Sequence, residues 1–576
     1  MKVERLDDLP LLGAALKELK IAETIDKYFV AHGNWRGASL GTVGSAFLLY
    51  VLSESDHRLS HIQEWAARRE FSLRHILDCP TFTHLDCTDD RLAALLDYFS
   101  HDTRYREFET ALNQHTLSVY SLAPIEDDLS SKVVHLDATI AQQYTDTTNL
   151  FTMGYAKHRR ADLPQIKVML STVGALGLPL CVEVVTGSTA DDVLYLPMIA
   201  RVEETLKTKG LLFVGDSKLG SILNRLTIQK GGNYYLTPLS RVQLPLSDLQ
   251  AIVLDNNKNK VTDFNTFKTS EGDDVELTAF EITVDRTHEE TVWPERIIVA
   301  YSEPYNNAQT AQFDKKLDKT AADLSELTVA KQGKTPLKTV EEVQAKIDQT
   351  LKEFKTTDFF EVIIHTEYTT VTKRKYKDTP AQTVTNTSFS LTISRKTDKI
   401  DAHKAILGWR AYATNAPQAQ LSTEKVVATY KDEFKVEYRF NQLHNKTAPL
   451  MPIFLHKDNR IAALIRLLML GIKVLGLLEY TIRKQIAAEN ITITQIFPGN
   501  PGRKTEKPTA EMVLRAFHNI SLVIIALNGF NNSHFHIEIT ELSNSQQLLL
   551  RLAGFKNLIY HDIPQFLIST LKISET

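Results

Sequence analysis

The chain has 576 residues, 66 lysines and arginines against 70 aspartates and glutamates, and a formal net charge of −4. With 43% hydrophobic and 24% charged residues, it is neither disordered nor fibrous, and its length suits roughly two to four domains at about 150 residues each. The charge balance excludes a uniformly basic nucleic-acid coat. It leaves room for an enzyme with a local basic surface. Three sparse cysteines, Cys79, Cys87 and Cys181, suit a reducing cytoplasm. No apolar leader follows Met1.

From residue 9 to about 120 the apolar spacing is helical. Ser39 is placed to cap a helix through the run 43–52, and Thr88-Asp89-Asp90 opens another. An all-helical N-terminal domain over 1–125, with a possible role in binding DNA ends, is expected. Within it, 59–77 carries Arg68, Arg69 and Arg74. At Lys132 the texture changes. Val133-Val134-His135-Leu136 predicts a strand ending in Asp137, and 165–172 and 178–185 predict a hairpin around Gly174 and Gly177. A helix over 193–207, a strand 211–214 ending at Gly215-Asp216, a helix over 219–229 and a strand 233–236 follow. The order β, β-hairpin, α, β, α, β predicts a mixed sheet with helices on its faces.

Residues 244–415 read as a β-rich insertion, with alternating strands among polar, Lys- and Thr-rich stretches. Helical spacing returns over 421–489. The apolar stretch 461–478 is long enough for a membrane span, but Arg466 and Lys473 near its middle predict a buried helix and no membrane. Prolines 498, 501 and 508 mark a linker carrying Arg503, Lys504 and Lys507. The expected divisions are 1–125, 126–243, 244–415, 416–495 and 496–576.

Asp137 and Asp216 each end a short apolar strand. On adjacent strands they would suit one divalent cation, since hard cations take oxygen ligands. The same pattern also occurs in turns and helix caps. Glu437 is the candidate third ligand, and its ordinary reading is a solvated helical charge. Lys157-His158-Arg159-Arg160 before a sheet strand, Lys373-Arg374-Lys375-Tyr376-Lys377 in the insertion, and Lys218 and Arg439 near the acids are candidate phosphate contacts. His75, Cys79, His84 and Cys87 match no standard zinc spacing. Gly333-Lys334-Thr335 lacks the upstream glycine of a phosphate loop.

Tyr430, Glu437 and the position of His444 resemble the Tyr-Arg-Glu-Lys signature of the insertion-sequence 4 superfamily of DDE transposases. Glu433 stands where that signature has Arg and His444 where it has Lys, with Lys446 two residues on. The resemblance is closer to the insertion-sequence 1634 family. Its motifs are matched by Val3-Glu4-Arg5-Leu6-Asp7-Asp8, His32-Gly33-Asn34-Trp35, Asp56-His57-Arg58-Leu59, His135-Leu136-Asp137-Ala138-Thr139, Asp162-Leu163-Pro164-Gln165, Gly187-Ser188-Thr189-Ala190-Asp191-Asp192, Val214-Gly215-Asp216-Ser217-Lys218 and Pro452-Ile453-Phe454-Leu455-His456.

The resemblance implies an RNase H-like catalytic domain interrupted by the β-rich insertion. It implies Asp137, Asp216 and Glu437 as catalytic residues and ligands of two Mg²⁺ or Mn²⁺ ions. Lys157, His158, Arg159, Arg160, Lys218, Tyr430, Arg439, His444 and Lys446 would meet DNA. The implied activity is cleavage at insertion-sequence ends and strand transfer into target DNA, by a cytoplasmic protein dimeric on double-stranded DNA. A catalytically silent DNA-binding relic, or a metal nuclease that never joins ends, are the alternatives.

Overall fold

The computed structural model describes residues 1–155, 160–174, 177–259, 263–268, 274–329, 337–373, 382–445, 447–526 and 535–573. It is a mixed α/β protein in two compact units. One comprises Met1–Pro238, Asp285–Glu295 and Ala413–Thr576; the other comprises Leu239–Val284 and Arg296–Tyr412.

The first unit opens with β1 (Lys2–Arg5), then α1 (Leu9–Glu18), α2 (Ile21–Tyr28), α3 (Leu40–Glu54), α4 (Leu59–Ala67), α5 (Glu70–Ile76), α6 (Asp89–Phe99) and α7 (Asp102–Val119). Ser39 caps α3 as its position predicts, its hydroxyl accepting from the Thr42 amide at 3.1 Å. The sheet begins with β2 (Val133–Gln142), β3 (Gln165–Val173) and β4 (Leu178–Thr186), and continues through α8 (Asp192–Leu206), β5 (Leu212–Gly215), α9 (Ile222–Lys230) and β6 (Tyr234–Pro238). In this unit the strand order is β4-β3-β2-β5-β6. β2–β3 and β3–β4 are antiparallel, while β2–β5 and β5–β6 are parallel. β3 is buried along its whole length, as expected for a strand covered on both faces.

In the second unit come α10 (Leu246–Asn259), β7 (Asp263–Lys268), β8 (Asp274–His288), β9 (Thr291–Tyr301), α11 (Glu303–Glu326), α12 (Val340–Glu353), β10 (Phe360–Lys373), β11 (Gln382–Arg395), α13 (Thr397–Lys404) and β12 (Trp409–Thr414). The tip of the β8–β9 hairpin belongs to the first unit. Phe313, Leu317 and Leu324 of α11 and Val343, Ile347 and Leu351 of α12 pack a core against the β10–β11 hairpin. That spacing is the apolar stripe of an amphipathic helix.

The first unit resumes with α14 (Thr423–Lys431), α15 (Phe434–Asn445), α16 (Asp458–Glu489), α17 (Ala510–Ala516), β13 (Ser521–Ala526), β14 (Phe535–Ile539), α18 (Asn544–Leu552) and α19 (Leu558–Ile573). α16 is long and apolar enough to cross a membrane, and here it is buried. Its charges are answered inside the protein. Arg466 donates to the Phe99 carbonyl at 2.8 Å, and Lys473 donates to the Asn113 side chain. β1 pairs antiparallel with β13, Lys2 opposite Ile524, so the two ends of the chain share a three-stranded sheet. The N-terminal region is therefore not purely helical. Three charged or polar side chains in a four-residue strand leave no local pattern to find it by.

Candidate functional site

β2 and β5 run parallel in register from Val133 opposite Leu212 to Leu136 opposite Gly215. Aligned residues of parallel strands face the same way, about 4.8 Å apart. The next position on each chain is Asp137 and Asp216. The structure therefore brings these two acids side by side, both half-buried. Asp137 is not at a strand tip. β2 continues to Gln142 against β3, and only the parallel pairing stops at Leu136.

Asp216 is tightly held. The Tyr195 hydroxyl donates to its Oδ1 at 2.7 Å and the Lys218 amide at 2.8 Å, while Thr237 Oγ1 donates to its carbonyl at 2.8 Å. Gly215 makes room for this. A Cβ there would lie 3.1 Å from the Tyr195 ring and 3.2 Å from the Leu136 carbonyl. Burial raises the Tyr195 hydroxyl well above its ordinary range, and the charges of Asp216, Asp137 and Glu433 add to this. Three carboxylates therefore act on one buried hydroxyl.

α14 and α15 are seated on the strand face that carries Asp137. His135, Asp137 and Thr139 share that face by their alternation. His135 Nε2 meets the Thr429 carbonyl at 3.1 Å, and Thr139 Oγ1 meets His444 Nε2 at 3.0 Å. These contacts bracket Asp137. Glu437 lies in the first turn of α15 and Glu433 just precedes that helix; Glu433 is half-buried and Glu437 exposed. Among the described residues no three His, Cys, Asp or Glu side chains gather closely enough to hold a metal ion. The two aspartates are together, but neither glutamate closes on them. Asp216 is nevertheless answered only by neutral donors, with no ion pair from a described residue. Such an acid beside a second acid suits a cation.

The expected DNA contacts fare unevenly. Lys157, His158, Arg159 and Lys446 lie outside the described residues, as does most of the insertion's basic run. Arg160 is exposed, paired with Asp162 at 2.7 Å and bonded to the Tyr144 hydroxyl. Lys218 is exposed beside Asp216, and Tyr430 is half-buried. Arg439 is a correction. It is 2% exposed, donating from Nε to the Gly177 carbonyl at 3.0 Å and from Nη1 to Gln442 Oε1 at 3.0 Å. It fastens α15 to the β3–β4 turn and is not offered to DNA. His444 is likewise engaged with Thr139. Sequence reasoning missed Tyr195, which has no motif, and His135 and Thr139, which the period-two alternation around Asp137 could have shown.

No protein-family profile and no curated protein matches the chain. Among solved structures it is similar to the piggyBac transposase synaptic complex with hairpin DNA, at 11% identity and a TM-score of 0.26, over 51% of this chain and 59% of that one.

Proposed function

We propose that this chain is a DDE-type DNA transposase with an RNase H-like catalytic unit. The observation that carries the reading is the pairing of Asp137 and Asp216 on adjacent parallel strands. The strand order β4-β3-β2-β5-β6, with one antiparallel hairpin ahead of parallel β5 and β6, supports the fold assignment. The motif resemblance supports the activity. Asp137 and Asp216 would hold Mg²⁺ or Mn²⁺ together with a carboxylate from α15 or the turn before it. That carboxylate is Glu437 by the motif, or Glu433 by its charge on Tyr195. When bound, two such ions activate a water and stabilise the departing 3′ oxygen.

The chain's own residues supply rigidity. Tyr195 and the Lys218 amide fix Asp216, and the His135 and His444 contacts fix α14 and α15 beside Asp137. Cleavage would take place at a transposon end, and the freed 3′-OH would attack target DNA in the same site, with two copies on the DNA. A second reading, a silent DNA-binding relic, is favoured by one observation: among the described residues no third acid joins the pair. Purified protein, Mg²⁺ and a labelled end fragment separate them. The enzyme nicks and joins the fragment, and Asp137→Ala binds it without nicking. A relic binds it and never nicks. Cleavage by Asp137→Ala at the wild-type rate would remove the assignment. Glu433→Gln against Glu437→Gln identifies the third ligand.

A further inference from the structure

A second place in the same unit carries arginines rather than lone acids. A cavity of about 1110 Å³ opens between β1, the α3–α4 connection, α4 and the segment 449–454. Five cations line it, Lys2, Arg5, Arg58, Arg68 and Arg69, and they pair with Glu4, Asp7, Asp56, Glu64 and Glu54 respectively. Arg68 pairs with Glu64 and Arg58 with Asp56, on side chains 71% and 44% exposed for the arginines. The Arg68–Glu64 pair is exposed on both sides, and such pairs contribute little and yield readily to a phosphate.

At its rim Phe454 is 49% exposed. The Arg58 guanidinium lies 5.7 Å from its ring centre and the His57 ring 5.6 Å. His57 is 4% exposed. Its Nδ1 meets the Pro449 carbonyl at 2.9 Å, which requires that nitrogen to donate. Nε2 is then a buried acceptor, and it has no hydrogen-bond partner. An aromatic face in water, a cation beside it and an unanswered buried acceptor together fit a flat heterocycle carrying phosphate. Bases stack on aromatic side chains whatever their sequence, and cationic grooves track the strand. A paired base does not offer its face, so the fit is to unpaired DNA.

The cleft is also tied to the acidic site. Ile453 and the Gln143 side chain exchange two hydrogen bonds, at 3.0 and 3.2 Å. Gln143 directly follows β2. Asp137 is six residues upstream, about 20 Å along a strand.

We propose that this cleft holds an unpaired segment of the DNA strand processed at Asp137 and Asp216, one base stacked on Phe454 with an N–H to His57 Nε2, and its phosphates on Arg58 and Arg68. The proposal rests on the DNA reading above. The test is fluorescence anisotropy of the full chain with three probes: a duplex with a ten-nucleotide single-stranded tail, the matching blunt duplex, and the tail alone. The wild type should prefer the tailed duplex. Phe454→Ala should weaken tail binding roughly 5- to 100-fold and leave the blunt duplex unchanged, whereas Phe454→Tyr should bind as the wild type does. Arg58→Gln should lower the salt slope on the tail by about 0.7. Thermal melting of each variant checks its fold. Equal affinity of Phe454→Ala and wild type for the tail, or equal loss on blunt and tailed probes, overturns the proposal. If the wild type nicks DNA but does not distinguish tails, the cleft assignment alone falls. If it binds no DNA, both readings fall.

Discussion

The acids at the ends of the β2–β5 pairing and the cations around Phe454 lie in one compact unit, yet they are built in opposite ways. Asp137 is paired to β3 on one side and directly follows the β2–β5 pairing on the other, and Asp216 directly follows β5, restrained by donors from Tyr195 and the Lys218 amide. Arg58 and Arg68 flank the short helix α4, their side chains 44% and 71% exposed. Rigid acids suit chemistry, where misplacement of about an ångström is costly. Exposed cations suit holding a strand, where many weak contacts add. The net charge of −4 averages over these two surfaces.

The largest effect expected is on the acidic side. Asp216→Asn should lower DNA cleavage on the order of a thousandfold or more, because ligands of one centre act as a unit. DNA affinity, set by the cations, should stay within about twofold at fixed salt. A parallel loss of binding would show that the two regions are not separate in function.

Arg439 sharpens the comparison from the other direction. It is a buried cation in a structural role. Burial pulls its guanidinium below the ordinary range, opposed by the charge of Glu479. Arg439→Ala should cost about 3 kcal/mol of stability in urea denaturation, through an unanswered Gly177 carbonyl and a cavity. It should not change the salt slope of DNA binding. A changed slope would return Arg439 to the interface.

His135 makes the seat of α14 sensitive to acid. Burial depresses its imidazole to about 4, opposed by the Thr429 carbonyl. A base depressed in the folded state contributes fully above its unfolded pKa. That contribution is lost as pH falls from about 6.5 through 4, on the order of 3 kcal/mol in all. His135→Asn should be less stable than wild type at pH 7, and the gap should close by pH 4.5. A constant gap would contradict the assignment.

Tyr195 gives the smallest effect. Tyr195→Phe keeps the ring and removes the bond to Asp216, so cleavage should fall about 10- to 100-fold with affinity unchanged, as for other groups that orient a ligand. An unchanged rate would show that the Lys218 amide alone positions Asp216.

Much of the first unit was legible because its signals are local. Strands β2 to β6 alternate with helices in the order that the apolar runs predict, and Ser39 caps where expected. The pairing of Asp137 with Asp216 followed from two strand ends and needed only that the strands be neighbours. What the sequence hid was non-local. β1 finds its partner more than five hundred residues away. Tyr195 reaches Asp216 from a helix surface. Arg439 looks like a surface cation until the Gly177 carbonyl is seen to accept from it and Gly476 to make space for it, with a would-be Cβ 3.1 Å from Nη2. In the insertion, α11 and α12 were obscured by lysine and threonine between widely spaced apolar residues.

The central claim is that Asp137 and Asp216 are one centre. Its most direct test is the cleavage rate of a labelled DNA end in Mg²⁺ by wild type, Asp137→Asn, Asp216→Asn and the double variant. The account predicts that each single change removes cleavage to background and that the double variant is no slower than either. A single variant that cuts at the wild-type rate, or two partial losses that multiply in the double variant, would contradict it.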